Sequence, residues 1–559
     1  MGSRLVTRMV IGAVAAALFL GTTPLAAASK SRASIVDPAL LADAKANPNA
    51  LFAVIVRGSA TLGKSSDNRT RVKKAEDALA SSNDGPRRTL SIVGGASGTL
   101  RGAQILALSK VPNVDRILRD ELFSVSWNAD DAAASATEAG MLAVNAPQVW
   151  SSLGVSGKGV GVAVIDSGVA DHADLAGRVV ARADFTGERS MGDPGGHGTH
   201  VAGLIAGDGT SSKGAWTGVA PQANIVSVRV IDSFGHAKLS TIFAGMQWVL
   251  ANRATYNIKV ANLSFGGPAL SGYQQDLLAS ATEMLSFAGL TVVVSAGNSG
   301  PGPSSITSPA DDPFVITVGA ADDGATPSLL DDSVAIWSSR GPTPFDGIAK
   351  PDLIAPGRKM IGLRSAGSAI DIAYPERRVT APGAADAQYF SMSGTSMAAP
   401  VVAGVAALYL ERNPSASPMT VKRQLVGTAR PLAGVPATAQ GGGMVDAFAA
   451  LTMRAPSMGF TRYAASNAFA EAVFAKVYGQ PIVWRDPSFH GGVDSRGLAW
   501  ADITWDDITW DDVTWEDITW EAFDWQDITW DDITWEDITW ETSAAPLGGS
   551  GAGGWSLVN

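Results

Sequence analysis

Residues 394–400 have the sequence Gly394-Thr395-Ser396-Met397-Ala398-Ala399-Pro400 and lead into the apolar run from Val401 to Leu410. A turn of small residues before an Ala-, Val- and Leu-rich segment predicts a loop that enters the N-terminus of a buried helix. Unpaired backbone N–H groups and the positive end of the helix dipole surround such a position. Ser396 therefore has two interpretations. It is either a nucleophile, with the negative charge that develops beside it stabilised by the helix N-terminus, or a residue that only caps the helix. A base and an orienting acid elsewhere in the chain would favour the first.

Two upstream segments provide an acid and a base. The first is the apolar run Val160-Gly161-Val162-Ala163-Val164-Ile165, which ends in Asp166. Such a run is typical of a fully buried parallel strand, and the catalytic groups of open α/β sheets gather at the carboxyl ends of the strands. The second is the glycine-rich turn Gly195-Gly196-His197-Gly198-Thr199-His200, which leads into another helix of small residues. Acid, base and hydroxyl thus follow one another as Asp166, His197 and Ser396.

Taken together, these three segments resemble those of the subtilisin-like serine proteases (subtilases). The triad of that family occurs in the chain order Asp, His, Ser. The resemblance implies that Ser396 is the nucleophile, that His197 is the general base and acid, and that Asp166 orients the imidazole. It also implies a serine endopeptidase that hydrolyses protein and peptide substrates through an acyl-enzyme. No cofactor is required for that chemistry.

The pattern of elements after residue 145 predicts an α/β fold. Strands and helices alternate, as expected for a parallel sheet with helices on both faces. The predicted elements are strand 225–230, helix 239–252, strand 259–263, helix 276–288 and strand 291–295. Segments similar to those of subtilases continue to residues 441–446, so the predicted subtilisin-like catalytic domain spans residues 145–456.

Two loops at the carboxyl ends of predicted strands extend the resemblance. Asn298, in Val293-Val294-Ser295-Ala296-Gly297-Asn298-Ser299-Gly300, aligns with the family residue that supplies the oxyanion-binding amide. Ser264, Phe265 and Gly266 lie in a segment similar to the one that pairs with the substrate backbone in subtilases. Considered without the family, both loops could be ordinary glycine turns.

The resemblance also identifies one candidate metal ligand and one unusual insertion. Asp174 matches a position that often binds structural calcium in subtilases, but the companion loop, residues 207–218, departs from the family's calcium-loop pattern. Calcium at Asp174 is therefore an open expectation. Residues 358–390 form a stretch longer than compact subtilases need. Because long loops in compact domains tend to be functional, we expect this stretch near the substrate cleft.

The amino-terminal residues predict export. Arg4 and Arg8 precede an apolar run from residue 9 to residue 20, and residues 26–28 are a small-residue cleavage site, so residues 1–28 form a predicted secretory signal peptide. The apolar run is shorter than the roughly 20 residues that a spanning helix needs. No later stretch is long and apolar enough to span a bilayer, so we expect a secreted protein with no membrane span after signal removal.

Cysteine content and charge exclude several function classes. The 559-residue chain has no cysteine, which excludes disulfides, thiolate catalysis and cysteine-bound metals. Its net charge is −11, yet residues 501–541 alone carry 15 acidic and no basic side chains. The rest of the chain has 42 basic and 38 acidic residues, and no basic block indicates nucleic-acid binding.

Residues 37–125 predict a small α+β domain with the element order β-α-β-β-α-β of a ferredoxin-like unit. Its expected elements are strand 51–57, helix 68–80, strand 89–94, strand 98–101, helix 103–110 and strand 114–119. The unit resembles the inhibitory propeptide domain that precedes many subtilases, most closely in residues 108–114. The alternative is an unrelated α+β domain. The polar, Ala-rich residues 126–144 are the expected linker and processing region.

The carboxyl-terminal residues differ from the rest of the chain in composition, because they are repetitive. After a predicted linker, 457–497, a five-residue unit of Asp-Ile-Thr-Trp plus an acidic residue repeats through residues 498–541, and a Gly-rich tail, 542–559, follows. These acidic Trp-rich repeats are compatible with a small solenoid whose acidic turns could bind calcium. They are equally compatible with an extended chain whose charges repel one another.

Two functions compete on this sequence. The first is a secreted serine endopeptidase made as a zymogen, with its own propeptide as inhibitor. The second is a binding protein on an inactive protease scaffold that uses the Trp-rich repeats. Because Asp166, His197 and Ser396 are all present, the sequence favours the first.

Overall fold

The computed structural model describes residues 35–59, 68–80, 88–111, 113–120, 122–124, 140–324, 326 and 328–456, together with two short strands between residues 483 and 493. The predicted signal peptide (1–28), the Trp-rich repeats (498–541) and the Gly-rich tail (542–559) lie outside the described residues. Within the described ranges, none of the helices combines the length and the apolar character needed to cross a membrane.

The first folded unit, residues 35–119, contains a five-stranded sheet covered by helices. Its elements in chain order are β1 (Ile35–Val36), α1 (Pro38–Ala46), β2 (Leu51–Gly58), α2 (Asn68–Ala80), β3 (Arg88–Leu90), β4 (Gly95–Arg101), α3 (Gly102–Leu108) and β5 (Val114–Arg119). The sheet order is β1-β5-β2-β4-β3, with β2 antiparallel to both neighbours. The predicted strand 89–94 ends at Leu90, because Ser91–Val93 forms a 3₁₀ turn.

The central strand β2 shows that this sheet packs on both faces. Successive side chains of a strand point to opposite faces. Val54 and Val56 are fully buried in the unit's own core, together with residues of all three helices. Ile55, which lies between them, is buried in a second core that is shared with the following domain. The first unit is therefore packed against the rest of the protein through the face that its helices leave open.

Residues 140–456 form an α/β domain around a mainly parallel sheet. The strands from residue 122 onward are β6 (Leu122–Ser124), β7 (Gly161–Asp166), β8 (Val179–Asp184), β9 (Asn224–Arg229), β10 (His236–Lys238), β11 (Ile258–Leu263), β12 (Thr291–Ser295), β13 (Ile316–Asp322), β14 (Ser333–Val334), β15 (Leu353–Pro356), β16 (Met360–Leu363), β17 (Arg378–Val379), β18 (Tyr389–Met392), β19 (Val483–Trp484) and β20 (Gly492–Val493). The main sheet has the order β14-β13-β12-β11-β7-β9-β8, and β15 also pairs with β13. The edge strand β14 is antiparallel, and the other pairings of this sheet are parallel.

Helices cover both faces of this sheet. They are α4 (Gly140–Ala143), α5 (Ala146–Leu153), α6 (His197–Ala206), α7 (Leu239–Asn252), α8 (Leu277–Phe287), α9 (Ala369–Ala373), α10 (Thr395–Arg412), α11 (Pro418–Gly427), α12 (Ala437–Gln440) and α13 (Ala447–Thr452). Val162 and Val164 of β7 pack in one core with α6 and α10, whereas Ala163 and Ile165 pack in the other core with α7 and α8. This burial of both faces explains the uninterrupted apolar run of β7 and confirms the predicted α/β class.

The second domain begins a few residues before residue 145. Met141 and Val144 are already buried in its core, and the Arg430 guanidinium donates a hydrogen bond to the carbonyl of Ala143. The last residues of the predicted processing region, 126–144, therefore belong to the packed domain.

The helix that carries Ser396 begins earlier than the apolar run indicates. The sequence predicts that the small residues 394–400 form a loop that enters a buried helix, but α10 already starts at Thr395 and continues through Pro400. Every residue from Thr395 to Leu408 is buried. A helix that is buried on all sides lies at the centre of a domain, and α10 packs against β11, β12 and β13.

Residues 358–390 fold against the turn that precedes α6. Their strands form a small antiparallel sheet in the order β16-β18-β17. The Ala369 N–H at the start of α9 donates to the Pro194 carbonyl (2.8 Å). Because this turn leads into His197, the insertion lies beside the predicted catalytic base.

Candidate active site

Three elements carry the predicted triad. Asp166 is the last residue of β7, His197 is the first residue of α6, and Ser396 lies in the first turn of α10. Helices α6 and α10 pack against each other and against β7. The three residues are 0%, 2% and 2% exposed, respectively. The parallel sheet therefore delivers acid, base and hydroxyl to one buried edge, as the sequence predicts.

The Asp166–His197 contact fixes the tautomer of the imidazole. His197 Nδ1 lies 2.8 Å from Asp166 Oδ1, and a carboxylate only accepts hydrogen bonds, so Nδ1 carries the proton. The Ser167 N–H also donates to Asp166 Oδ1 (2.7 Å) and holds the carboxylate in place. His197 Nε2 is buried and has no hydrogen-bond partner in the part of the chain that is described. Its lone pair can therefore accept a proton.

Ser396 and Ser264 exchange two hydrogen bonds. The Ser396 hydroxyl donates to the backbone carbonyl of Ser264 (2.8 Å), and the Ser264 hydroxyl donates to the backbone carbonyl of Ser396 (2.9 Å). In this resting arrangement the nucleophile is turned toward Ser264. The hydroxyl proton is directed to the Ser264 carbonyl and has to be redirected before it can pass to His197.

Asn298 is held in one orientation by the residue before the nucleophile. Its side-chain Oδ1 accepts hydrogen bonds from the N–H (3.0 Å) and the hydroxyl (2.9 Å) of Thr395. These two donors identify the oxygen end of the amide, so the opposite end is the Nδ2 group. Asn298 can thus offer an N–H donor next to Ser396, which is the role that the sequence predicts.

The predicted substrate segment follows directly after β11. Ser264 and Phe265 are buried, and the next residue, Gly266, passes close to another loop. A Cβ on Gly266 would lie 2.7 Å from Thr307 Oγ1, so a larger residue would push the segment away from that loop. Gly267 then pairs with Ser308 in an antiparallel bridge. This bridge holds one end of the segment, and the hydrogen bonds between Ser264 and Ser396 hold the other.

Comparison with known proteins identifies the family of this site. Residues 157–449, more than half of the chain, match the Subtilase family. The chain belongs to the subtilase family of serine endopeptidases. This result confirms the resemblance that the sequence motifs indicate.

Individual subtilases are similar to this chain over different lengths. It is 45% identical over 277 residues to serine protease AprX of Bacillus subtilis (strain 168), a match that covers 48% of this chain and 61% of AprX. It is 36% identical over 312 residues to subtilisin Savinase of Lederbergia lenta, with 56% of this chain and 97% of Savinase covered. The crystal structure of fervidolysin from Fervidobacterium pennivorans, a keratinolytic enzyme related to subtilisin, matches with 26% identity and a TM-score of 0.56, covering 74% of this chain and 62% of fervidolysin. The chain thus spans less than two thirds of AprX and of fervidolysin.

An acid that the sequence motifs do not point to organises the turn before His197 in this subtilase. Asp193 accepts hydrogen bonds from the Ser167 hydroxyl (2.8 Å), the Gly196 N–H (2.7 Å), and both the N–H (2.8 Å) and the hydroxyl (2.6 Å) of Thr199. Burial raises the pKa of Asp193, although all four donors favour its charged form. The available sequence signal is an acid immediately before Pro194 and the glycine-rich turn.

His200 has a structural role. Its Nε2 faces the carbonyls of Met360 (3.2 Å) and Phe390 (3.0 Å), so Nε2 carries the proton and ties α6 to β16 and β18. Burial, together with the nearby His197, lowers the pKa of His200 to about 3. The side chain is therefore neutral at physiological pH and joins the insertion to the catalytic helix.

The carboxylate of Asp174 is hydrogen-bonded within the protein. Asp174 Oδ2 accepts a hydrogen bond from the Tyr389 hydroxyl (2.5 Å), and Oδ1 accepts one from the Ser211 N–H (2.7 Å). Each carboxylate oxygen of Asp174 therefore accepts one hydrogen bond from the protein itself. Across the described ranges, no group of three or more His, Cys, Asp or Glu side chains could hold a metal ion. Asp174 therefore functions as an internal hydrogen-bond acceptor.

The first unit reaches the same edge of the subtilase domain. Strand β6 pairs antiparallel with β10, and Phe123 lies opposite Ala237. The Phe123 ring also lies against Gly267, because a Cβ there would be 2.6 Å from the ring carbon Cε1. Gly267 directly follows the predicted substrate segment. Strand β6 therefore runs between β10 and that segment.

Proposed function

We propose that this subtilase is a secreted endopeptidase, made as a zymogen, that cleaves peptide bonds with Asp166, His197 and Ser396. The observation that carries the proposal is the buried 2.8 Å hydrogen bond from His197 Nδ1 to Asp166, on a helix that packs against α10. This bond leaves Nε2 as a proton acceptor. A serine hydroxyl needs such a base to become a nucleophile near neutral pH.

The residues can complete both halves of an acyl-transfer reaction. Ser396 Oγ attacks the substrate carbonyl carbon while its proton passes to His197 Nε2, and Asp166 stabilises the imidazolium without taking the proton. His197 then gives the proton to the leaving amine, and an ester joins the substrate acyl group to Ser396. Water, deprotonated by His197, hydrolyses this ester, and the proton returns to Ser396.

The oxyanion of each tetrahedral intermediate would be held at the start of α10. The Asn298 Nδ2 group and the Ser396 backbone N–H are the donors that we assign to this role. The positive end of the helix dipole adds to their effect. Preorganised donors of this kind stabilise charge that develops only in the transition state, so they act on kcat.

The zymogen part of the proposal rests on how the first unit packs. Ile55, Leu90 and Ile92 of this unit are buried in one core with α7 and α8 of the catalytic domain. Polar contacts accompany this apolar face: the Arg88 guanidinium donates to the Phe185 carbonyl (3.0 Å), and the Gln247 side-chain oxygen accepts from the Ile92 N–H (3.3 Å). A separately folded unit that docks on the catalytic domain in this way can remain bound after the chain is cut.

Asp120 connects the docked unit to the substrate cleft. Helix α7 has no side-chain cap of its own at Lys238. Instead, the Asp120 carboxylate accepts hydrogen bonds from the N–H (2.8 Å) and the hydroxyl (2.6 Å) of Ser240 in the first turn of α7. This contact holds the chain just before β6, the strand that enters the cleft. The first unit would thereby block substrate access, as an inhibitory propeptide does.

We propose that the enzyme cuts its own chain within residues 125–139. Residues 122–124 are paired with β10, and residues from Met141 onward pack in the catalytic core, so the interval between them is the part of the connection that can be cut. Export before activation would follow from the predicted signal peptide at residues 1–28. Cleavage and export together would keep the protease inactive until it leaves the cell.

The alternative function, a binding protein that uses the Trp-rich repeats, has less support. An inactive scaffold would have no need for a buried acid, a correctly protonated imidazole and an oriented Asn298. All of these groups are present in the catalytic domain.

Hydrolysis of a chromogenic peptide tests the proposal. Wild-type protein should turn over the peptide, and Ser396→Ala should reduce kcat by about a millionfold, the loss seen when subtilisin loses its nucleophile. His197→Ala should give a loss of similar size. Comparable turnover by purified Ser396→Ala protein would contradict the triad assignment.

A further inference from the structure

A proline interrupts the hydrogen bonding of the helix that carries the nucleophile. Pro400 lies inside α10, four residues after Ser396. In a regular α-helix, the N–H of residue 400 would donate to the carbonyl of residue 396. Proline has no N–H, and its ring crowds that carbonyl. The backbone of the nucleophile therefore lacks one donor that a helix normally provides.

The side chain of Ser264 supplies a donor at that position. The Ser264 hydroxyl lies 2.9 Å from the Ser396 carbonyl and donates to it. The Asn262 side-chain Nδ2 in turn donates to the Ser264 hydroxyl oxygen (2.9 Å). Asn262 and Ser264 are both fully buried, and Ser396 is 2% exposed. Three buried groups thus form a short chain of hydrogen bonds from β11 to the nucleophile.

We propose that Asn262 and the Ser264 hydroxyl are positioning residues for Ser396, and that they replace the helix hydrogen bond that Pro400 removes. The inference rests on the proposed role of Ser396 as nucleophile. It gives Ser264 a second role, through its side chain, beside the substrate-binding role that the sequence predicts for its segment.

Each hydrogen bond of this chain pairs one donor with one acceptor. A serine hydroxyl has one proton to donate and lone pairs to accept with. Ser264 uses the proton for the Ser396 carbonyl and a lone pair for the Asn262 amide. Removing the hydroxyl would remove a buried donor from the carbonyl, which is costly because water cannot replace it. The first turn of α10 would then shift, and with it the nucleophile.

The effect of Ser264→Ala, measured once with Pro400 present and once in a Pro400→Ala background, tests this inference. The variants are Ser264→Ala, Pro400→Ala and the double variant, made in the full chain and assayed after processing. The readouts are kcat and KM for a chromogenic peptide, and the rate at which a small fluorophosphonate modifies Ser396. The modification rate depends on the nucleophile and its base but not on binding of a peptide backbone.

With Pro400 present, Ser264→Ala should lower kcat and the modification rate about tenfold, because small displacements of a nucleophile are costly, while KM changes little. In the Pro400→Ala background, the same change should cost less than about threefold, because the restored N–H can donate to the Ser396 carbonyl and the two sites are coupled. An equal loss in both backgrounds, or no loss with Pro400, would overturn the inference.

Two further variants serve as controls. Ser280→Ala removes another buried hydroxyl that donates to a carbonyl, that of Asp276 (2.8 Å), and should leave both rates unchanged. Should Ser264→Ala fail to fold, Ser264→Cys keeps the side-chain size but donates weakly, and it should give an intermediate rate. Full activity of Ser264→Cys would contradict the inference. Wild-type protein without triad-dependent activity would instead contradict the proposed function.

Discussion

The catalytic centre and the docking face of the first unit are both buried, but different contacts hold them together. At the catalytic centre, buried polar groups are bonded to one another, as in the four hydrogen bonds that Asp193 accepts. On the docking face, apolar side chains such as Ile55 and Leu90 are buried in a core that is shared with the catalytic domain, and hydrogen bonds such as that from Arg88 to the Phe185 carbonyl accompany them.

This difference matches what each region has to do. Side chains that react must keep one geometry, and several directional bonds to each group impose that geometry. A unit that must later be released needs contacts that water can replace. The N-terminus of α7 illustrates the second case, because water can bond the Ser240 N–H after Asp120 departs. Changes at the catalytic centre should therefore alter the rate of the chemical step, whereas changes on the docking face should alter only inhibition.

The largest effect that separates the two regions is expected for Asn298→Ala. Loss of one oxyanion donor should lower kcat by roughly a hundred- to a thousandfold. The processed enzyme should still fold, but loss of the Asn298 Oδ1 acceptor for the two donors of buried Thr395 should lower its stability by about 1 to 3 kcal/mol. Steady-state kinetics and thermal unfolding check both points. An unchanged kcat would mean that another group binds the oxyanion.

The second-largest expected effect is a loss of stability at low pH that depends on His200. Its folded-state pKa, about 3, lies below the value of about 6.5 in an unfolded chain. The unfolded state therefore binds more protons between these values, and stability should fall as the pH is lowered through this window. Between pH 7 and pH 4, protonation of His200 in the unfolded state should lower the free energy of unfolding by about 3 kcal/mol.

Denaturant unfolding of the processed enzyme, inactivated with fluorophosphonate to prevent autolysis, measures this effect. His200→Gln keeps an N–H donor for the Met360 and Phe390 carbonyls but cannot gain a proton. The variant should lose less stability than the wild type over the same pH range. Equal losses of stability in the two proteins would show either that His200 of the folded enzyme is already charged at pH 4 or that another group causes the loss.

A smaller effect, confined to the docking face, is expected for Asp120→Ala. Removal of a helix cap typically costs about 1 kcal/mol. The released first unit should therefore inhibit the processed enzyme about fivefold less tightly, while kcat of the uninhibited enzyme stays the same. Asp43→Ala is a suitable control, because Asp43 pairs with Arg119 of the same unit. A change in kcat with Asp120→Ala would mean that the docking face and the catalytic centre are not independent.

The smallest effect should come from the carboxyl-terminal tail. None of the residues assigned to catalysis lies beyond residue 456. Truncation after Pro487 should leave kcat and KM for a small peptide unchanged within error. A large fall in kcat would show that the tail contributes to the catalytic domain.

Local sequence patterns predict most of the catalytic domain but not the contacts that organise its site. The helix at 239–252 and the strand at 291–295 have the predicted bounds because their apolar periodicity is a local property. The residues proposed as the triad could be singled out because each lies in a long, distinctive motif. By contrast, Asp120 caps a helix 120 residues away, and His200 bonds carbonyls 160 and 190 residues away. No local pattern indicates such pairs.

The start of α10 shows one misleading local rule. Glycine before Ser396 and proline after it favour a loop, and the sequence predicts a turn of small residues that leads into the apolar run from Val401. The helix nevertheless includes Thr395 and Pro400, and Ser264 provides the donor that the proline lacks. A residue distant in sequence thus allows a helix where local preference predicts a turn.

The same limit applies to Asp174. Its local motif is similar to that of a calcium ligand in subtilases, but its oxygens bond Tyr389 and Ser211. Tyr389 lies 215 residues away in the sequence. The local motif therefore does not indicate these distant hydrogen-bond partners.

The mass of the expressed protein tests most directly whether Ser396 cuts its own chain. Intact-mass and N-terminal analysis should be carried out on wild-type protein and on Ser396→Ala protein expressed in the same host. We expect the wild type to begin within residues 126–140 and the alanine variant to keep the first unit covalently attached. Identical processing of both proteins, or a fully active wild type that is never cut, would contradict self-activation by Ser396.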